Sequence, residues 1–161
     1  MMFRRLLMLT AAVVLAASCQ SEVQQANISQ EKAIDDYVQR TFEADAVSRI
    51  DGITRILVQD YATASSPEAA KGDSLTIRFA GYTFESGAPA SCFAIDSCTV
   101  LLGKGDLIRG LDRGLTGVKP QQEVLLLFSS QYGYGSDKVG LVPENTALFF
   151  DIIVDRVIKN N

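Results

Sequence analysis

From Leu75 to Phe84 apolar and polar residues alternate, with Leu75, Ile77 and Phe79 on one face and Thr76 and Arg78 on the other. That is the period of a half-buried β-strand. The stretches Ile53 to Tyr61 (ITRILVQDY) and Ala147 to Val157 predict further strands, and Glu123 to Ser129 (EVLLLFS) is apolar at consecutive positions, as a strand covered on both faces must be. Twice the period becomes helical. Ile34, Tyr37, Val38 and Phe42 mark one apolar stripe continuing to Ala46, with Ser29 as N-cap and Ile28 as a staple residue before it. Leu107, Ile108, Leu111 and Leu115 predict a second helix of about three turns, bracketed by Gly103, Gly105, Gly110, Gly114 and Gly117. A helix that short does not stand alone, so it needs a sheet to lie on.

The loop SSPEAAKGD closes on Gly72 and Asp73, Gly87 and Pro89 end the alternating strand, and Cys92 to Leu102 climbs back toward the short helix. Pro120 breaks the chain after that helix. Helix, strands, one short helix and strands again is the order of an α+β fold: an antiparallel sheet with the short helix on one face.

The first residues follow another pattern. Arg4 and Arg5 precede an apolar run from Leu6 to Ala17, interrupted only by Thr10, and small residues lead to Cys19. The run is too short to span a bilayer core of about 30 Å as a helix. LAASC resembles a bacterial lipobox, in which the Cys becomes the lipidated N-terminus. The expected organisation is a lipoprotein signal peptide over 1–18, lipidation at Cys19, a polar tether over 19–28, a helix over 29–50 and a folded domain over 53–161. A plain secretory signal with an ordinary Cys19 is the alternative. The expected location is the envelope of a bacterium, anchored in a membrane and facing the periplasm. For the helix, packing on the domain's own surface is weighed against a dimerisation arm.

Composition narrows the chemistry. The chain has 161 residues, 47% hydrophobic and 21% charged, and no His or Trp. Lacking His, it lacks the usual general base near neutral pH and the commonest metal ligand, which argues against triad hydrolases and His-ligated zinc. Without residues 1–18, 13 Lys and Arg face 19 Asp and Glu, a net charge of −6 with no basic cluster, so nucleic acid is not an expected partner. Three Cys at unlike spacings do not suggest a metal site, and no cofactor is expected. With Cys19 lipidated, Cys92 and Cys98 remain as a pair in an oxidising compartment. A disulfide across this short loop, worth roughly 2 kcal/mol, is preferred over two free thiols.

GKGDLIRGLDRGLTGVKPQQEVLLLFSSQYGYG and, after a short loop, GLVPENTALFFDIIV resemble the FK506-binding-protein (FKBP) class of peptidyl-prolyl cis-trans isomerases. The likeness runs in order from about Lys71 to Val157. It implies a sheet wrapped around the short helix and a pocket for proline. By resemblance, Leu111 takes the place of the aromatic pocket floor, and Leu107 and Ile108 form the adjoining wall, the Ile108 N–H meeting a ligand carbonyl. Phe79 stands where many members have Tyr, Tyr134 matches the residue whose hydroxyl bonds the bound peptide, and Phe150 matches an aromatic wall. Pro143 keeps one of two family prolines and Glu144 replaces the other. Where the family has Phe-Asp-Ser, this chain offers Phe93 with Ala94 or Ile95 with Asp96 and Ser97; Phe93 is preferred as the ring, with Asp96 as a polar partner.

The chemistry implied asks for little. Rotating an X-Pro amide crosses about 20 kcal/mol because the C–N bond has double-bond character. Twisting removes that resonance and its dipole, so an apolar, water-poor pocket favours the twisted state without nucleophile, general base or metal. The expected partners are proline-containing polypeptide segments and, through Cys19, a lipid bilayer. Two functions follow: an isomerase acting on X-Pro bonds of exported proteins, or a catalytically weak binding or chaperone lipoprotein of the same fold. Leu111, Phe79 and the altered Asp segment favour the second; Tyr134, Ile108 and Phe150 favour the first.

Overall fold

The computed structural model describes residues 2–160, with side chains over 22–160. In chain order the elements are α1 (Met2–Thr41), β1 (Val47–Ile50), β2 (Ile53–Asp60), β3 (Ser74–Glu85), β4 (Ala88–Leu101), α2 (Arg109–Gly114), β5 (Gln122–Phe128) and β6 (Ala147–Ile158). The strands form one antiparallel sheet in the order β1-β2-β5-β6-β3-β4. Alternation places two cores on its two faces. The larger contains Ile53, Leu75, Ile77, Val124, Leu126, Phe128, Leu148, Phe150, Ile152 and Val154 with Leu111 and Leu115 of α2. The other face carries Ile56, Phe84, Leu125, Leu127 and Phe149, covered by Ile34 and Val38 of α1. β5 is buried on both faces because each side has its own helix.

Ser86 and Gly87, at φ 53° and 75°, turn β3 into β4 within the pair Glu85 and Ala88. Positive φ at both central residues is the two-residue hairpin whose twist matches the strands. This hairpin corrects the expected disulfide. Cys92 and Cys98 lie on one extended strand and are free thiols. Six residues along a strand span about 20 Å, whereas a disulfide holds its Cα atoms roughly 4.4–6.8 Å apart.

The boundaries at the N-terminal side also differ. Residues 22–28, expected as part of a tether, are helical, in keeping with a run rich in Gln, Glu and Ala. The helix ends at Thr41 rather than near 50, and a short 3-10 turn, Ala44–Ala46, leads into β1. Val47 to Ile50 is strand because the Asp51-Gly52 turn folds it back onto Ile53 to Ile56. The leader 1–18 and Cys19 lie outside the residues whose side chains are described. Among the described residues no helix is long and apolar enough to cross a membrane.

Candidate active site

α2 is shorter than the three turns expected, six residues, because Ile108 is already extended at φ −60°, ψ 151°. Leu107 and Ile108 therefore enter as a strand-like segment whose side chains lean on the larger core while half-exposed. Extended geometry also frees a donor. Among the described residues no acceptor meets the Ile108 N–H, while its carbonyl accepts from Asp112 N at 3.0 Å.

Phe150 on β6 and Leu111 on α2 are 2% and 6% exposed and form the buried end of the site. Two rings stand over Phe150: Phe79 of β3 at a centroid distance of 6.2 Å and Phe93 of β4 at 5.7 Å, edge-on at 87°. Phe79, Phe93, Leu107, Ile108, Tyr132 and Tyr134 are all partly exposed where the core reaches the surface. Tyr134 sits in a loop shaped by the Ser130 carbonyl, which accepts from both Gly133 N and Gly135 N at 2.9 Å. Among the described residues its hydroxyl has no hydrogen-bond partner. Burial pushes the Tyr134 phenol above its usual value, so the group stays a protonated donor through the neutral range.

Of the two candidate alignments in the altered segment, Phe93 is brought to Phe150 whereas Ile95 is 78% exposed. Asp96 pairs with Phe79 across the strands but is exposed, and its carboxylate accepts from Ser97 N at 2.7 Å. Cys98 faces inward and packs on the same core. Burial, and then the charge of Asp96, push its thiol up, which keeps it protonated and unreactive.

Sequence reading missed Phe128. Its ring is fully buried and stacks on Phe150 at 5.9 Å with the planes 17° apart. A Cβ on Gly110 would lie 2.5 Å from that ring, so Phe128 rests on the backbone of α2 next to Leu111. The aromatic mass that Leu111 lacks comes from β5 instead. The signal was Gly110, whose missing side chain admits the ring; the consecutive apolar run EVLLLF hid which residue filled it.

A buried aromatic base, an aromatic and aliphatic rim and two donors without an acceptor among the described residues suit a planar, uncharged amide. A family model for FKBP-type peptidyl-prolyl cis-trans isomerase matches residues 66–155, more than half of the chain. The chain belongs to that family. A curated relative, the FK506-binding protein of Neisseria meningitidis serogroup B, is 29% identical over 107 residues, covering 65% of this chain and 97% of the relative. Among solved structures, a peptidyl-prolyl cis-trans isomerase from Pseudomonas syringae superposes with a TM-score of 0.67 at 17% identity, over 84% of this chain and 96% of its own. FkpA from Escherichia coli gives 0.63 at 16% identity, over 94% and 70%. The two structures speak to the fold, and they share the FKBP architecture with this isomerase-family chain.

Proposed function

We propose that this chain catalyses cis-trans rotation of X-Pro bonds in exported proteins, with the proline ring lodged on Phe150 and Leu111 between Phe79 and Phe93. The observation that carries the reading is the pairing of an apolar, aromatic cluster with two donors that have no acceptor among the described residues, the Ile108 N–H and the Tyr134 hydroxyl. Burying the amide away from water removes the solvent that favours its planar, dipolar form, lowering the barrier of about 20 kcal/mol. The two donors hold the flanking peptide carbonyls while the amide twists. Each such bond contributes about 0.5–1.5 kcal/mol, enough to orient a peptide but not to hold it tightly.

For the location, the Arg4 to Cys19 pattern supports export and lipidation at Cys19, and hence a chain anchored in the bacterial envelope and facing the periplasm. Its clients are then unfolded or folding exported polypeptides with accessible prolines. The reading as a catalytically weak binding module draws on Asp96, whose carboxylate turns to solvent where the family's Phe-Asp-Ser segment would supply one at the site.

NMR exchange or a protease-coupled assay on a short X-Pro peptide tests this. Wild type should accelerate isomerisation, Tyr134→Phe should lose about three- to tenfold in kcat/KM, the equivalent of one hydrogen bond, and Phe150→Ala should lose more. Rates for wild type and for a Tyr134→Phe, Phe150→Ala double variant that both match the uncatalysed reaction would overturn the catalytic reading.

A further inference from the structure

Helix α1 lies on the sheet face opposite the site, yet its contacts do not stop at the apolar ones. Asn27, Gln30, Glu31, Ile34 and Val38 share one side of the helix at i, i+3, i+4, i+7 and i+11. Ile34 and Val38 dock on the second core. The other three reach the end of β5 and the turn that follows it. Asn27 Oδ1 accepts from Ser130 Oγ at 2.8 Å and Gln131 N at 3.3 Å. Gln30 Oε1 accepts from Ser130 N at 2.8 Å, and its Nε2 donates to the Asn145 carbonyl at 2.6 Å. Glu31 Oε1 accepts from Ser129 Oγ at 3.1 Å and Gln131 Nε2 at 2.6 Å.

All polar groups of Ser130 are thereby engaged: its N–H and hydroxyl by α1, its carbonyl by the Gly133 and Gly135 amides that bracket Tyr134. The far side of the loop is tied as well, since Asn145 N donates to the Gly135 carbonyl at 2.8 Å while Gln30 holds the Asn145 carbonyl. Gln131 continues the chain of contacts, its carbonyl accepting from Arg109, the residue after Ile108. Ser129 and Ser130 are 0% and 1% exposed, so water cannot replace these partners. Apolar docking alone would attach the helix. A cluster of directional bonds on three consecutive loop residues sets a register.

We propose that α1 is a positioning element of the isomerase site, with Asn27, Gln30 and Glu31 fixing the Ser129 to Gln131 turn so that Tyr134 and Ile108 present their donors at the right separation. The inference rests on the isomerase reading given above. None of the three residues touches substrate; they act through the turn.

The test uses the full chain and an Asn27→Ala, Gln30→Ala double variant. Expected are a drop of about tenfold in kcat/KM at a temperature where circular dichroism finds the variant folded, and faster amide exchange at Gly133 and Gly135. Asn27→Asp, which keeps the acceptor for Ser130 and Gln131, should recover most of the loss relative to Asn27→Ala. Lys32→Ala with Asp36→Ala, an exposed ion pair on the same helix, should behave as wild type. If the double variant does not fold, the half-buried Gln30→Ala alone carries the same comparison. Unchanged kcat/KM in a folded variant overturns the proposal, as does a matching loss in the Lys32, Asp36 control or no recovery with Asn27→Asp. An inactive wild type overturns the isomerase reading instead; the positioning of the loop is then judged by exchange at Gly133 and Gly135, and unchanged exchange rejects it.

Discussion

The Phe128 ring stacks on the Phe150 ring, centroids 5.9 Å apart and planes inclined by 17°. Phe128 is fully buried, so this pair is the rigid base of the site rather than part of its mouth. In the proposed site it would supply, from β5, the aromatic mass that Leu111 lacks. Phe128→Ala should destabilise by about 3–5 kcal/mol, the cost of a buried aromatic cavity, read as a lower urea midpoint. Leu111→Trp alone should overpack the same region and cost about 1–3 kcal/mol. Combined with Phe128→Leu it should cost less than the sum, with a favourable coupling in the double-mutant cycle. Strict additivity would mean that the two positions do not share a volume.

Gly110 tests the same contact from the helix side. In an exposed helix, Gly→Ala gains about 1 kcal/mol of helix propensity. Here the new Cβ would sit 2.5 Å from a buried ring with no room to move. The steric term of about 1–3 kcal/mol for overpacking should win, so Gly110→Ala is expected to lower both thermal midpoint and activity. A more stable variant would show that Phe128 does not rest on this backbone.

Cys92 and Cys98 should stay reduced in the native protein. With Cys19 replaced by Ser, two thiols should titrate under native conditions, the exposed Cys92 faster than the inward Cys98 whose thiol is held protonated by burial. Mass spectrometry of oxidised native protein that finds a Cys92–Cys98 bridge would contradict the extended hairpin.

Asp151 lies on β6 opposite Leu125, on the sheet face of the second core, and its Oδ1 is buried without a hydrogen-bond partner among the described residues. Desolvation pushes its carboxyl above the ordinary 3.8. The folded protein thus holds this proton more tightly than the unfolded chain. That stabilisation is complete below the ordinary value and is lost as pH rises through the raised one. At neutral pH the ionised group is a net cost, so Asp151→Asn should raise the melting temperature at pH 7 and the gain should vanish on acidification. A gain equal at both pH values would remove ionisation as its cause.

Much of the architecture is written in local patterns. The period of two in Leu75 to Phe79 and the turn residues Gly72 and Asp73 reflect local sterics and one-sided burial, so β2, β3, β5 and β6 could be read along the chain. Phe79, Phe150, Ile108, Leu111 and Tyr134 could be nominated from motif likeness. Other features depend on residues far apart in sequence. Residues 22–28 read as a tether, since the partners of Asn27 at Ser130 and Gln131 lie about a hundred residues downstream. Val47 to Ile50 reads as the tail of a helix until β2 folds back to pair with it. Cys92 and Cys98 look close in a loop and are far apart on a strand.

What the sequence determined by itself is the alternation that builds the sheet, the glycines that permit its turns and the small apolar helix needing that sheet. Tertiary structure decided which ring fills the floor and which helix steadies the loop above it. The reason is physical: periodicity says which side of an element is buried, but only packing says against what, and Phe128 meets Phe150 and Gly110 through the fold alone.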